Sequence, residues 1–188
     1  MRGWVKGVFI VVVLPILVGG IVLLVAGRKV MYELLQRRIA GRFPEVQWIA
    51  PEELALWRDD PGRTQPVVLD ARTQDEFDTS HLRGAIRIDP YRPSTRPLAG
   101  FARDTPIVVS SSAGYRGARV AAWLRRAGYG SIQNLTGGLF RWVNEGRPVF
   151  REDRPTQEVH PYDRYWGWLL KGRHRAQAPD IPKQSAAP

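Results

Sequence analysis

The chain has 188 residues, a formal net charge of +10 and no cysteine. This length fits one globular domain with additional segments, and the absence of cysteine excludes disulfides, thiolate metal sites and thiolate nucleophiles. The charge favours a polyanionic neighbour such as anionic lipid, nucleic acid or a small oxyanion, while the three dispersed histidines predict no metal site and we expect no cofactor.

Residues 7–27 form an uncharged apolar stretch, GVFIVVVLPILVGGIVLLVAG. At ~1.5 Å per residue, a helix of this length spans roughly 30 Å, the thickness of the hydrocarbon core of a bilayer. A cleavable signal peptide would have a shorter apolar core and a small-residue cleavage site, whereas Arg28 and Lys29 follow here directly. We therefore predict one uncleaved transmembrane helix, a signal anchor, preceded by a short flank of residues 1–6.

Residues 28–45 predict a basic juxtamembrane helix and linker. Val30, Leu34, Leu35 and Ile39 recur at helical spacing, and the basic residues between them suit anionic lipid headgroups. More basic residues follow the apolar stretch than precede it, so the domain should be cytoplasmic. We expect a single-pass protein of a bacterial-type inner (plasma) membrane. No nucleic-acid recognition motif is present, and we expect no nucleic-acid partner.

Short apolar runs alternate with helical patterns from residue 46 to residue 150. Strands are predicted at residues 46–49, 67–70, 85–88, 107–109 and 132–135. Helices are predicted from Pro51, after Thr73, and at residues 117–127 and 138–144. Thr73 and Glu76 have the spacing of a capping box. Strands that alternate with helices favour a parallel sheet covered on both faces.

Two predicted strand ends carry polar residues, at the edge where open α/β sheets bind ligands. One is the Asp70-Ala71-Arg72 segment, and the other is the loop of residues 110–116. Small residues entering a helix direct several N–H groups to one point at its positive end, and Arg116 can add a guanidinium. The pattern predicts an anion-binding loop. An ordinary strand-to-helix turn with a solvated arginine is the alternative.

Four segments, in order, resemble the rhodanese family. Residues 67–88 (VVLDARTQDEFDTSHLRGAIRI) resemble its Asp-x-Arg strand end, acidic-aromatic helix and His-hydrophobic-x-Gly-Ala pattern. Residues 106–129 resemble its active-site loop and following helix. Residues 134–142 (NLTGGLFRW) are similar to its closing Leu-x-Gly-Gly-x-x-x-Trp signature, and residues 146–149 (GRPV) to its usual end. The resemblance implies a rhodanese-like α/β domain over residues 46–150, with a parallel sheet flanked by helices on both faces.

The family's loop reads Cys, four residues, Arg, and counting back from Arg116 puts Ser111 in the cysteine position. A rhodanese passes sulfur through a persulfide on that thiolate, and serine cannot hold a persulfide. The resemblance thus implies a catalytically degenerate, inactive sulfurtransferase homologue that binds an anion or a protein partner. The implied loop residues are Ser112, Ala113, Gly114, Tyr115 and Arg116, and the supporting residues are Asp70 and Arg72.

Two alternatives remain open. Ser111 could be the nucleophile of a hydrolase or phosphatase-like enzyme, with His81 and Asp70 as the first partners to consider. A partner protein could also supply the missing cysteine in a sulfur-transfer complex. The simpler interpretation of Asp70, Arg72 and His81 is structural, and that of Glu76 is a carboxylate at a helix start.

The C-terminal extension, residues 151–188, lies outside the resemblance. Residues 151–157 are charged and punctuated by proline, which predicts a linker. Residues 161–171 (PYDRYWGWLLK) are rich in aromatic side chains and predict contact either with the membrane surface or with the domain. Residues 176–188 have the composition of a disordered end.

Overall fold

The computed structural model describes the backbone of residues 14–176 and the side chains of residues 27–176. The chain divides into two compact units, Met1–Arg37 and Arg38–Pro188. Helix α1 is Leu14–Arg42, and its C-terminal half covers the predicted basic helix. Across the described part of the chain, no helix combines the length and apolar character needed to cross a membrane. The predicted transmembrane segment, residues 7–27, lies outside the described side chains except for Gly27, so it stays a prediction.

A five-stranded parallel sheet organises the second unit, as predicted. The strands are β1 (Gln47–Ile49), β2 (Val67–Asp70), β3 (Ile86–Arg87), β4 (Ile107–Ser110) and β5 (Ile132–Leu135). Their order across the sheet is β1-β5-β4-β2-β3, and each neighbouring pair is parallel. All four residues of the central strand β4 are buried, which explains its continuous apolar run.

Four helices follow strands of this sheet. They are α2 (Pro51–Asp59), α3 (Gln74–Thr79), α4 (Tyr115–Arg126) and α5 (Gly138–Asn144). The capping box predicted for α3 is confirmed, because Thr73 and Glu76 exchange side-chain and backbone hydrogen bonds. Helix α4 begins two residues before the predicted start, since Gly114 takes a φ of 105° at the N-cap and turns the chain early.

The apolar core lies around the sheet and helix α4. It includes Leu69 of β2, Val109 of β4 and Ile132 of β5, which pack with Val120 and Leu124 of α4. Because these strand and helix residues are all fully buried, the carboxyl ends of β2 and β4 and the start of α4 have fixed positions. Those are the places where the predicted site residues lie.

The extension folds onto this unit. Residues 151–157 are not the predicted linker: β6 (Val149–Arg151) and β7 (Arg154–Thr156) pair as an antiparallel hairpin. Beyond it, two short 3₁₀ turns run over Trp166–Leu169 and Gly172–His174. Leu169 and Leu170 are buried, whereas Tyr165 is 78% exposed. Of the two interpretations of the aromatic segment, packing on the domain is the one the structure shows.

Candidate functional site

The two predicted strand ends lie side by side. Asp70 and Ser110 are register partners at the carboxyl ends of β2 and β4. The loop of residues 111–114 follows Ser110 and leads directly into α4. The parallel register therefore brings the Asp-x-Arg segment and the predicted anion-binding loop to the same edge of the sheet.

A second glycine-containing turn closes over this loop. Gly138 has a φ of 59°, and a Cβ added there would lie 2.1 Å from the carbonyl oxygen of Ser111. That close approach allows the Leu139 and Phe140 N–H groups to donate to the carbonyls of Ser111 and Ser112, at 2.8 and 3.0 Å. The loop backbone is therefore held from both sides, which explains why the Gly-Gly pair is needed here.

Ser111 lies at the base of the loop and is 1% exposed. Its Oγ accepts hydrogen bonds from the backbone N–H groups of Gly114 and Gly117, at 3.2 and 3.1 Å. Two such donors would favour a thiolate at this position. Among the side chains that the structure describes, none accepts a hydrogen bond from the Ser111 hydroxyl. The nucleophile of a serine hydrolase needs such a base, so the hydrolase alternative gains no support.

Arg116 is committed to an internal carboxylate. Its Nη1 and Nη2 donate to Oε2 and Oε1 of Glu76 at 2.8 and 2.6 Å, and Nη2 also donates to Ser112 Oγ at 2.8 Å. The Ser112 hydroxyl donates in turn to Glu76 Oε1 at 2.6 Å. The sequence indicated a guanidinium facing an anion. The anion in the structure is Glu76.

The electrostatics of Glu76 follow from this network. Burial opposes ionisation most strongly, but the hydrogen bond and charge of Arg116, the charge of Arg72 and the Ser112 hydroxyl together outweigh it. They lower the pKa of Glu76 from 4.5 to about 2. Burial likewise opposes the charge of Arg116, but Glu76 reverses this and raises the arginine's pKa. The pair is thus ionised, buried and nearly neutral overall.

Four backbone N–H groups of the loop remain available. Within the described part of the chain, the N–H groups of Ser112, Ala113, Tyr115 and Arg116 donate to no acceptor. They surround the start of α4, where the helix dipole also favours negative charge. The predicted anion-binding character of the loop therefore depends on its backbone and not on a free guanidinium.

Asp70 and Arg72 brace the neighbouring strand end. Arg72 Nε and Nη2 donate to the two carboxylate oxygens of Asp70 at 2.8 and 2.7 Å, and Nη2 also donates to the Ser80 carbonyl. Both partners of this ion pair are buried. His81 faces helix α3, since its ring stacks on that of Phe77 at 4.0 Å between centroids. These positions agree with the structural interpretation of all three residues.

The C-terminal extension reaches the mouth of the loop, which the sequence did not reveal. The ring of Tyr162 lies 4.7 Å from the guanidinium carbon of Arg116. Burial raises the pKa of the Tyr162 hydroxyl, and the neighbouring Tyr91 side chain is the next cause. No periodic pattern relates these three residues. The one available signal was the unusual density of aromatic residues in residues 161–171.

The model of the rhodanese-like domain matches residues 50–145, about half of the chain. The chain belongs to the rhodanese-like domain family. A crystal structure from Bacillus halodurans, the BH2092 protein, superposes with a TM-score of 0.51 at 16% identity. The match covers 64% of this chain and 86% of the BH2092 chain, and this likeness shows the fold alone.

Curated relatives match only part of the chain. A tRNA uridine(34) hydroxylase of Listeria monocytogenes is 36% identical over 80 residues, covering 39% of this chain and 24% of the relative. The Arabidopsis thaliana mitochondrial protein HIGH ARSENIC CONTENT 1 is 31% identical over 103 residues, covering 48% of this chain and 59% of the relative. The chain thus spans about a quarter of the listerial relative and less than two thirds of the plant one.

Proposed function

We propose that this protein is a catalytically degenerate rhodanese-like module that binds an anionic group at its loop and does not transfer sulfur. The observation that carries the proposal is the Ser111 hydroxyl, held by the Gly114 and Gly117 N–H groups where the family has a thiolate. A serine hydroxyl is not ionised near neutral pH and holds no sulfane sulfur. Binding of an anionic group is therefore the function that we propose for the loop.

The anion-binding part of the proposal is supported by the unpartnered N–H groups of Ser112, Ala113, Tyr115 and Arg116. Several N–H groups at a helix start form an anion site without any charged side chain. Glu76 already neutralises the Arg116 charge. The ligand is therefore a group that the backbone N–H groups can bind through hydrogen bonds alone. A carboxylate of a protein partner and a small oxyanion share this chemistry.

The named activity of the hydroxylase relatives and a cysteine supplied by a partner are both less well supported. The alignment with the listerial hydroxylase spans 24% of that protein, and no feature of the loop favours an RNA substrate. Ser111 is 1% exposed, so a cysteine on another chain would reach this position only if the loop opened.

We propose a membrane location from the sequence of residues 7–27, with the domain in the cytoplasm. The full chain and a variant lacking residues 1–27 are expressed in bacterial cells, and their membranes are washed with alkaline carbonate. The full chain should stay with the membranes, and the shortened chain should not. Protease added to intact spheroplasts should spare the domain. Release of the full chain by carbonate would contradict the anchor, and digestion would contradict the sidedness.

The binding proposal is tested by thermal unfolding of the full-length chain in detergent, with sulfate or chloride at equal ionic strength. Sulfate at a hundred times its dissociation constant should stabilise the protein by about 2.7 kcal/mol. Glu76→Gln should bind sulfate more tightly, because it leaves the Arg116 charge uncompensated. Asp75→Asn removes the same charge from an exposed position on α3 and is the control. Sulfate acting no better than chloride, or both variants behaving alike, would count against the loop.

A further inference from the structure

Tyr162 has two unusual features for a residue in a C-terminal extension. Its φ is 68°, in the left-handed region that tyrosine rarely adopts. Its ring lies over the Arg116 guanidinium, at 4.7 Å, in the geometry of a cation–π contact. A strained backbone that places an aromatic ring over a largely buried charge indicates that the fold maintains the position of the ring at the cost of the strain.

The turn that carries Tyr162 is tightly held. A Cβ on Gly167 would lie 2.8 Å from Pro161 Cβ, so Pro161 packs directly against the following 3₁₀ turn. The Gly167 N–H donates to the carbonyl of Asp163 at 2.9 Å, and the Tyr162 N–H donates to Nδ1 of His160 at 3.0 Å. This side of the contact is therefore built to hold Tyr162 in one position.

This turn is also attached to the domain by hydrogen bonds. Asn144, at the end of α5, donates through Nδ2 to the Leu169 carbonyl at 2.7 Å and accepts at Oδ1 from the Lys171 N–H at 2.8 Å. Leu169 and Leu170 are buried. The extension thus reaches the loop from an anchored base, and only the residues near Tyr162 need to move for the contact to open.

The other side of the contact is Tyr91, which lies on the exposed segment after β3 and is 57% exposed. Its side chain is near enough to that of Tyr162 to contribute to the raised pKa of the Tyr162 hydroxyl. Arg116 and Tyr91 therefore form a platform for a phenol side chain, in which the guanidinium faces the ring and Tyr91 lies near the hydroxyl.

We propose that Tyr162 is an intramolecular ligand of this Arg116–Tyr91 platform and closes the mouth of the loop. The inference depends on the proposed function in one respect, because it concerns access to the loop that we propose binds the anion. One cation–π contact of about 0.5–2 kcal/mol favours the closed arrangement by roughly two- to thirtyfold. An anionic ligand reaches the N–H groups in the open fraction, and a partner that offers its own phenol side chain to the platform would hold the loop open.

The absence of cysteine from the chain gives a direct test. Ser111→Cys introduces a single reporter thiol at the base of the loop, and its reaction with the dianionic reagent dithiobis(nitrobenzoate) reports access. In the full-length chain in detergent, adding Tyr162→Ala should raise the reaction rate about three- to thirtyfold. Tyr162→Phe should raise it less, because the ring remains. Tyr165→Ala, at a neighbour that is 78% exposed, is the matched control and should change the rate less than twofold.

Local opening and global unfolding are separated with urea. Acceleration by Tyr162→Ala should be the same in 0 and 1 M urea if only the mouth opens, whereas acceleration through unfolding would grow with urea. If Ser111→Cys does not fold, hydrogen exchange of residues 111–117 in Tyr162→Ala should be about three- to thirtyfold faster than in the natural sequence or in Tyr165→Ala. Equal rates in the folded Tyr162→Ala and Tyr165→Ala variants would overturn the proposal, whether or not the loop binds anions.

Discussion

Replacing Glu76 with glutamine tests the electrostatics of the loop. The pKa of Glu76 is about 2 in the folded protein and 4.5 ordinarily. An acid whose pKa is lowered by folding binds fewer protons in the folded state than in the unfolded chain. Its stabilisation is therefore complete above about pH 4.5 and is lost as the pH falls towards 2. A difference of this size corresponds to about 3 kcal/mol of folding free energy.

Glu76→Gln keeps the length of the side chain and its ability to complete the capping box with Thr73. It leaves Arg116 without a carboxylate partner, and the charge of that buried arginine becomes uncompensated. We expect the free energy of unfolding to fall by about 3 kcal/mol at pH 7. The difference from the natural protein should shrink between pH 4.5 and pH 2, because Glu76 takes up a proton in the unfolded natural chain over this range while the folded protein still excludes it.

The assay is urea unfolding of the full-length chain, followed by tryptophan fluorescence at pH 7, 4, 3 and 2. Asp75→Asn, on the exposed side of the same helix, should cost less than about 0.5 kcal/mol at every pH. A Glu76→Gln effect below about 1 kcal/mol at pH 7 would refute the reasoning, as would an effect of the same size at pH 7 and pH 2.

Two further substitutions test the packing around the loop by the same unfolding measurement. Gly138→Ala should destabilise by about 1–3 kcal/mol, because its Cβ would meet a loop carbonyl and its φ is positive; Gly130→Ala, which has open space, should stay within about 0.5 kcal/mol. Equal unfolding midpoints for the two alanine variants would contradict the close approach. Arg72→Lys should lower the free energy of unfolding by about 2–3 kcal/mol, since lysine cannot form the bidentate ion pair with Asp70. Arg125→Lys, at an exposed position, should leave the free energy of unfolding unchanged. An Arg72→Lys variant that unfolds at the same urea concentration as the natural protein would show that the ion pair is dispensable.

Much of the sheet could be predicted because its signals are local. The apolar runs that become β2 and β4 are short and continuous, as expected of strands buried on both faces. The start of α3 is encoded by Thr73 and Glu76, three residues apart. The position of Ser111 followed from a fixed spacing to Arg116. Each of these inferences needed only residues close together in the chain.

The pairings that complete the site are not local. Glu76 and Arg116 are 40 residues apart, and the sequence explained Glu76 fully as a helix-start carboxylate, which left no reason to seek a second partner. The composition of residues 151–157 indicated a linker, but the β6–β7 hairpin depends on pairing Val149 with Thr156. Tyr162 reaches the loop only because the extension folds back, a tertiary event without a periodic signal.

The most direct test of the central claim is sulfur transfer from thiosulfate to cyanide by the full-length protein. The natural sequence should form no thiocyanate above the uncatalysed rate, because Ser111 cannot carry a persulfide. Ser111→Cys should form thiocyanate, since the Gly114 and Gly117 N–H groups would then stabilise a thiolate. Adding Arg116→Ala should lower that rate. Thiocyanate formation by the natural sequence, at a rate comparable to that of Ser111→Cys, would contradict the account of a rhodanese-like module that binds without transferring sulfur.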